Sequence, residues 1–450
     1  MVLGASMAGL LAARVLTDFY DRVTLVERDV LDDSSFPRGG VPQGRQPHVV
    51  LARCGQVVDE LFPELRAELI ADGAHEWSDG DLSRAYTRFG GHLVVRSGHI
   101  PDPSRLRILY ASRPFIEQHV RRRVRALPRV TIADGHVVDG PVLDGHRLAG
   151  VKVHNRADQQ SRTLVADLIV DATGRGSRTP AFLESMGYPR PREDRLTVNI
   201  SYVSMPVRIP AGTLHEYLFI DLFAPGRTRG FGMSRCEGDQ WIVLVGTLGR
   251  DAKPPASPAE LIQQARHLMP AHAFEALCTA EPLADIALHR FPASRWRRYD
   301  KMDRLPDGLL VTGDAVCSFN PIYGQGMTVA AVDAMALRDC LQRGIADLSR
   351  RYHRSAAKGI QVAWRTAVNA DLRLPEVDGV RTLSTRVTNA YVDRVLRAAE
   401  SDPWVVQEFM LVTGMVESPT RLLRPEMWWR MAGLPTRRRD RSNGSALRHE

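Results

Sequence analysis

The first sixteen residues constrain the fold more than any other stretch. Val2-Leu3 reads as a short apolar strand, Gly4-Ala5-Ser6-Met7-Ala8-Gly9 as a turn rich in small residues, and Leu10 to Leu16 as an amphipathic helix. A strand that turns on glycine into a helix opens a Rossmann unit. The helix N-terminus then offers free N–H groups and the positive end of its dipole to a dinucleotide pyrophosphate. Gly4 is expected to make the tight turn and Gly9 to let helix and strand pack closely. Ser6 stands where the usual fingerprint has its second glycine, a small side chain that still lets phosphate approach the backbone. The run Arg22 to Arg28 reads as a second strand carrying Glu27, eighteen residues after Gly9, where one carboxylate can accept both hydroxyls of a ribose. An edge-strand acid of any βαβ unit is the alternative. Only three residues precede Gly4, which leaves room for an upstream start.

Three further segments belong with this one. Leu309-Leu310-Val311-Thr312-Gly313-Asp314 is a strand ending in an acid, followed by the loop Pro321-Ile322-Tyr323-Gly324-Gln325-Gly326-Met327 and a helix over 328–341. That pattern suits an acid accepting from a ribityl hydroxyl while glycine backbone comes close to a flat ring. Ile169-Val170-Asp171-Ala172-Thr173-Gly174 is a buried strand ending in a polar turn, and Ser112-Arg113-Pro114 starts a helix with an arginine in phosphate range.

With these segments in hand, the sequence resembles the flavoprotein monooxygenase superfamily of para-hydroxybenzoate hydroxylase and squalene epoxidase. Within it, the sequence is most similar to bacterial epoxidases of polyether-antibiotic polyenes. The resemblance runs over residues 1–345 through GASMAG, VERD, GVPQGRQPH, SRP, VDATGRGSR and GDAVCSFNPIYGQGM, in family order. It implies an α/β fold with a Rossmann-type FAD-binding domain, an antiparallel β-sheet substrate domain and a C-terminal helical region. FAD is the implied cofactor. Gly4, Ala5, Ser6, Met7, Ala8 and Gly9 would hold its pyrophosphate, Glu27 and the adjacent Arg28 the adenosine ribose, and Arg45 and Arg113 the phosphate and ribityl region. Val138 would offer backbone to the adenine, Gly313 and Asp314 would bind the ribityl chain, and Pro321, Gly324, Gln325, Gly326 and Met327 would flank the ring. Two departures stand out. The second motif is DATG where the family often has DG, and Cys317 follows GDA where a histidine is frequent, so that position is read as a small buried thiol.

The implied domains are residues 1–185 for FAD, with 90–110 inserted toward the substrate side, 186–295 for substrate, 296–345 returning to the FAD domain, and 346–436 helical. Residues 437–450 read as a disordered basic tail. Between Leu196 and Leu288 apolar stretches alternate with period two, the mark of antiparallel strands. Tyr202, Phe219, Phe231, Met233 and Trp241 are expected to line a substrate pocket, with core packing as the competing reading of each. The apolar residues from Trp404 to Trp429 are expected to pack on the body, with tunnel closure or membrane contact as rival roles.

Composition bounds the rest. The +8 formal charge, 60 basic against 52 acidic residues, reads as arginine-rich composition and not as nucleic-acid binding. Five cysteines with no CxxC suggest neither disulfides nor zinc, and a cytoplasmic protein is expected. No apolar run reaches the roughly 20 residues of a membrane helix, and no metal ligands cluster. Among the histidines, His48 beside Arg45 is the one with a place near the flavin, a structural role being the alternative.

The resemblance implies a monooxygenase. Reduced flavin, dioxygen and a C4a-hydroperoxide would epoxidise or hydroxylate a large apolar polyene, terpenoid or aromatic substrate, with no catalytic side chain required for the oxygen transfer itself. The absence of an evident base in the sequence leans toward epoxidation. NAD(P)H is the expected electron source, directly or through a flavin reductase. The alternatives are a flavin-dependent reductase of isoprenoid double bonds and a non-catalytic flavin-binding partner. A halogenase is disfavoured, since no WxWxIP segment is present.

Overall fold

The computed structural model describes residues 1–250 and 252–433, so the expected tail at 437–450 lies outside the described residues. Its centre is a five-stranded parallel sheet in the order Leu309–Val311, Ile169–Asp171, Val2–Leu3, Val23–Val26, Val130–Ala133. Val2, Leu25, Ile169, Val170, Leu310 and Val311 are almost wholly buried. Burial on both faces is what a parallel sheet covered by helices requires. Helices Met7–Leu16, Arg113–Arg125 and Gly326–Gln342 supply that cover through Leu10, Leu11, Val120 and Leu337, all in the same apolar core. A three-stranded antiparallel sheet, Ser161–Val165, Arg147–Asn155 and His136–Asp144, is a separate layer.

The first turn is fixed by two glycines. Gly4 has φ +95°, and a Cβ there would sit 2.6 Å from Ala172 O, while a Cβ on Gly9 would fall 1.8 Å from Gly4 O. Neither position admits a side chain.

A nine-stranded sheet forms the second layer, built on Glu193–Arg208, Leu218–Asp221, Arg229–Arg235, Gln240–Leu248 and Ala287–Arg297. Ala85–Phe89 and His92–Leu93 join it from the N-terminal part of the chain, the former pairing parallel with Leu218–Asp221, and the short strands Glu281–Pro282 and Cys317–Ser318 complete it. Strand parity splits the sheet into two faces. Val203, Met205, Phe219, Phe231, Met233, Trp241, Val243 and Val245 pack under helices Pro258–Ala265 and Ala271–Cys278. Ile200, Tyr202, Leu244 and Phe291 belong to the opposite face, with Phe223, Leu372 and Leu374.

The C-terminal part is helical: Leu348–Asp371, Leu383–Ala398, Pro403–Thr413 and Pro425–Met431. Val405, Val406, Leu411 and Met427 are buried, whereas Trp428 and Trp429 stay 48% and 54% exposed. Among the described residues, no helix is long and apolar enough to cross a membrane, and no group of three or more His, Cys, Asp or Glu could hold a metal ion.

Candidate active site

The parallel sheet, the ring-side loop and the inner face of the nine-stranded sheet enclose one cavity of about 1490 Å³. At one end lies the N-terminal turn. Gly4, Ser6, Met7 and Ala8 line the wall, with the helix Met7–Leu16 beginning there. Ser6 is tied down, its hydroxyl donating to Glu117 Oε2 at 2.7 Å and accepting from Arg113 Nη2 at 2.9 Å. Burial alone would raise the Glu117 carboxyl, but Arg113, Arg38 and the Ser6 hydroxyl outweigh it and hold the group ionised.

Glu27 lies on the cavity wall, 6% exposed, and accepts from Ala5 N at 2.8 Å and Asp29 N at 3.0 Å. Arg28 and Val138 line the same end. Ala5 and Gly9 stand off the wall: Ala5 points its N–H at Glu27, and Gly9 packs the helix on the strand.

Arg45 also stands off the wall. It ends the turn Pro42–Arg45, whose Gly44 is buried against Pro114, and the turn sends its side chain to the surface. Arg38 occupies the wall instead. Its guanidinium donates to Glu117 Oε1 at 2.8 Å, Asp29 Oδ2 at 3.0 Å and Ala5 O at 3.1 Å. The sequence reading passed over Arg38 because the Pro/Gly-rich segment around it gives no periodicity to place its side chain.

Further along, Gly313 and Asp314 line the cavity. The Asp314 carboxylate opens onto the lumen but is shut away from bulk water, and burial raises its pKa against the pull of Arg113 and Arg175. Among the described residues, no hydrogen-bond donor of the protein reaches it. Asp333, from the helix that follows, accepts from Gly313 N at 3.3 Å and Thr312 Oγ1 at 3.4 Å and holds this loop in place; burial pushes its carboxyl up to about 7. Asp171 serves the neighbouring turn, accepting from Thr173 N at 2.8 Å and from the hydroxyls of Ser177 and Thr179.

Pro321, Gly324, Gln325, Gly326 and Met327 line the middle of the cavity. Gln46 Oε1 and Gln325 Oε1 are buried there without a partner. His48 lines the wall beside them, its Nδ1 2.8 Å from Gln46 O, and burial followed by Arg113 lowers its pKa to about 4, so it is neutral near pH 7. Cys317 is a buried thiol, pushed well above its usual pKa by burial.

These features meet what FAD requires. A glycine cradle that a Cβ would fill, a helix N-terminus, Arg38 and Arg113 suit a pyrophosphate. Glu27 and the unpartnered Asp314 suit polyol hydroxyls. Residues 1–358 match the family described as an FAD binding domain. The chain belongs to that family, and it is a flavoprotein.

This flavoprotein is 37% identical over 436 residues to Protein Rv3254 of Mycobacterium tuberculosis, covering 93% of this chain and 91% of that one. It is 27% identical over 367 residues to 6-methylpretetramide 4-monooxygenase of Streptomyces rimosus, covering 78% and 77%. The fold is shared with p-nitrophenol 4-monooxygenase PnpA of Pseudomonas putida, with a TM-score of 0.65 at 16% identity over 91% of this chain and 95% of that one.

Beyond the loop, the cavity runs over the sheet. Tyr202 lies on its wall, its hydroxyl donating to Asn320 Oδ1. Phe219 and Trp241 do not reach the cavity, and the side chains of Phe231 and Met233 belong to the cluster under the outer helices, with only their strand bordering the space. The reason is parity, since these four are odd-numbered in strands whose even positions face inward. Leu218, Ile220, Leu222, Phe223, Leu244 and Phe291 are the apolar wall instead. Both faces of this sheet are apolar, which removed the polar alternation that would have marked the inner one.

Asp371 completes the site from the C-terminal end of helix Leu348–Asp371. Its Oδ1 accepts from Asn320 Nδ2 at 2.9 Å and from Tyr323 Oη at 2.7 Å, while Oδ2 is buried without a partner. Burial pushes the carboxyl up to about 6 against those two hydrogen bonds.

Proposed function

We propose that this flavoprotein hydroxylates a large, mostly apolar polycyclic substrate that carries an acidic hydroxyl. In this reading residues 1–185 and 296–345 hold FAD, and 186–295 with the C-terminal helices hold the substrate. The observation that carries the proposal is the single cavity of about 1490 Å³, which runs from the phosphate cradle past the glycine loop to an apolar sheet face. It exceeds the few hundred to roughly 1,000 Å³ of ordinary ligand pockets, as a space for FAD and a substantial substrate must.

Bound FAD supplies the activation of dioxygen. The chain does the remaining work. Leu218, Ile220, Leu244 and Phe291 take the substrate body and exclude water. Gly324 and Gly326 let backbone approach the ring, and Asp314 orients the ribityl chain. Tyr323 and Asp371 handle the proton: one taken at Tyr323 Oη passes to Asp371 Oδ1, whose carboxyl near pKa 6 is matched to that task.

This pair supports hydroxylation over epoxidation, because an alkene needs no deprotonation and a phenol or enol does. A relative named for oxygenating 6-methylpretetramide supports the polycyclic class. The experiment is a panel of polycyclic phenols and polyenes offered to the reduced holoprotein under oxygen, with products read by mass spectrometry. Phenol hydroxylation is expected; epoxides from polyenes with no phenolic product would overturn the assignment.

A further inference from the structure

The inner face of the nine-stranded sheet is not level. Along strand Arg229–Arg235 the inward positions are Gly230, Gly232 and Ser234. Ile220 and Leu244 stand opposite Gly232 on the two neighbouring strands, and Leu218 and Ile242 opposite Ser234. Small residues on a middle strand between taller neighbours leave a trough.

The trough is filled at one end and open beyond it. Gly230 pairs with Gly246, and the Phe223 ring lies on that pair: a Cβ on Gly246 would fall 2.8 Å from Phe223 Cζ and one on Gly230 3.3 Å from Phe223 Cε1. The turn carrying Phe223 is held by the fully buried Asp221, which accepts from Arg227 Nη2 at 2.6 Å and Arg88 Nη1 at 3.2 Å. At Gly232, by contrast, a Cβ would meet no atom within 4 Å, and the residue lines the cavity. Its φ is not positive, so the backbone does not require glycine there. A glycine inside a strand weakens it, and close approach of a ligand to the backbone is what such a residue serves.

Ser234 gives an independent indication. It lines the cavity, is wholly buried, and its Oγ has no hydrogen-bond partner. Buried hydroxyls are normally paired, and a ligand atom at the end of the trough would complete this one. From Gly230 to Ser234 the strand advances about 13 Å at ~3.3 Å per residue. Tyr202, whose ring adjoins Gly246 beside Phe223, reaches Tyr323 and Asp371 through Asn320, so the trough leads from the proton route toward Ser234.

We propose that Gly232 and Ser234 form a distal subsite for a flat, elongated fused-ring substrate. One ring lies on the Gly232 backbone between Ile220 and Leu244, and an oxygen substituent on the ring farthest from Tyr323 hydrogen-bonds to Ser234 Oγ. The substrate is then planar and oxygenated at both ends. This subsite deepens the hydroxylase reading and rests on it.

The probes are 2-naphthol, 2-anthrol and 2,6-dihydroxyanthracene, titrated into the oxidised holoprotein of the parent, Gly232→Ala, Gly232→Val and Ser234→Ala. Binding is read by calorimetry and by the change in flavin absorbance. In the parent, 2,6-dihydroxyanthracene is expected to bind about fivefold or more tighter than 2-anthrol, the gain of one hydrogen bond, and Ser234→Ala to erase that difference. Gly232→Val is expected to weaken both anthracene ligands about tenfold or more, and 2-naphthol by less than about threefold. Gly232→Ala is expected to keep its FAD and to unfold at or above the parent's denaturant midpoint while still weakening the anthracene ligands, a combination that a purely structural glycine does not give. Equal binding of the anthracene ligands by the parent and Gly232→Ala overturns the subsite. So does a Ser234→Ala variant that keeps the parent's preference, or a parent that binds none of the probes. Oxygenation of the bound probes by the reduced parent tests the hydroxylase reading separately. Oxygenation without the expected losses of binding sinks only the subsite, and those losses without oxygenation sink only the hydroxylase.

Discussion

Tyr323 Oη donates to Asp371 Oδ1 at 2.7 Å, joining the ring-side loop to the end of a helix some fifty residues further along the chain. Asn320 bonds to the same oxygen and also to Tyr202, so the loop, the helix and the substrate sheet share one buried network. Asp371, on which the proposed proton route rests, is the buried carboxyl that the sequence did not reveal. Nothing in its local sequence, at the end of a long amphipathic helix, marks it as buried beside the cavity.

The network predicts a pH dependence. Base catalysis needs the Asp371 carboxylate, so hydroxylation should rise as pH increases through about 6. Asp371→Asn should remove that limb and lower kcat by about 100-fold, in the usual range for a general base. Tyr323→Phe should lower kcat similarly while leaving FAD content intact. A pH–rate profile of both variants checks this; an unaltered profile in Asp371→Asn removes the residue from the chemistry.

Arg38 and Arg45 make opposite predictions. Arg38→Ala takes the partner from buried Glu117, a loss of several kcal/mol for a broken buried ion pair, and should weaken FAD retention about tenfold or more. Arg45→Ala removes an exposed side chain and should leave both stability and FAD content near the parent. Thermal unfolding and the flavin-to-protein absorbance ratio measure the two effects.

Gly9→Ala should abolish FAD binding. Its Cβ would lie 1.8 Å from Gly4 O, and relieving that overlap must open the cradle. Purified Gly9→Ala protein is expected to be colourless or insoluble; a yellow protein with parental FAD content would show that the cradle tolerates the shift.

Sheet parity predicts that the two faces respond differently. Trp241→Ala and Phe219→Ala should destabilise by about 3–5 kcal/mol, as truncated core aromatics do, and Trp241→Leu, a milder change, should leave KM unchanged. Ile220→Phe and Leu244→Phe should change KM or product distribution with little loss of stability. Paired denaturation and steady-state assays check this, and a KM effect confined to Trp241 would reverse the assignment of faces.

Asp333 gives a stability prediction. Its carboxyl rises from the usual 3.8 to about 7 in the folded chain, so the folded state binds the proton more tightly. Stability from this group should fall as pH rises between about 4 and 7 and stay low above that. Asp333→Asn should flatten that part of the profile, as measured by denaturant midpoints across the range.

The fold was legible because its motifs are local. Gly4 and Gly9, Glu27 on the second strand and the Gly313-Asp314 turn each announce a strand end or a helix start within a few residues, and the structure puts Gly4, Glu27, Gly313 and Asp314 on one cavity, with Gly9 packing the helix on the strand behind it. The substrate wall was legible only as a sheet. With apolar residues on both faces, period two locates strands but cannot choose a side, so of the residues it pointed to Tyr202 borders the cavity while Phe219 and Trp241 pack on the other face. Arg38 and Asp371 were invisible for a third reason: their partners, Glu117 and Tyr323, are distant in sequence and meet them only through the fold.

The most direct test of the central claim is to reduce the holoprotein anaerobically, add isotopically labelled dioxygen with a polycyclic phenol panel, and weigh the products. The account predicts one labelled oxygen atom in an organic product and the other in water. Reoxidation that yields only hydrogen peroxide across the panel, or a product with a saturated double bond and no labelled oxygen, would contradict it.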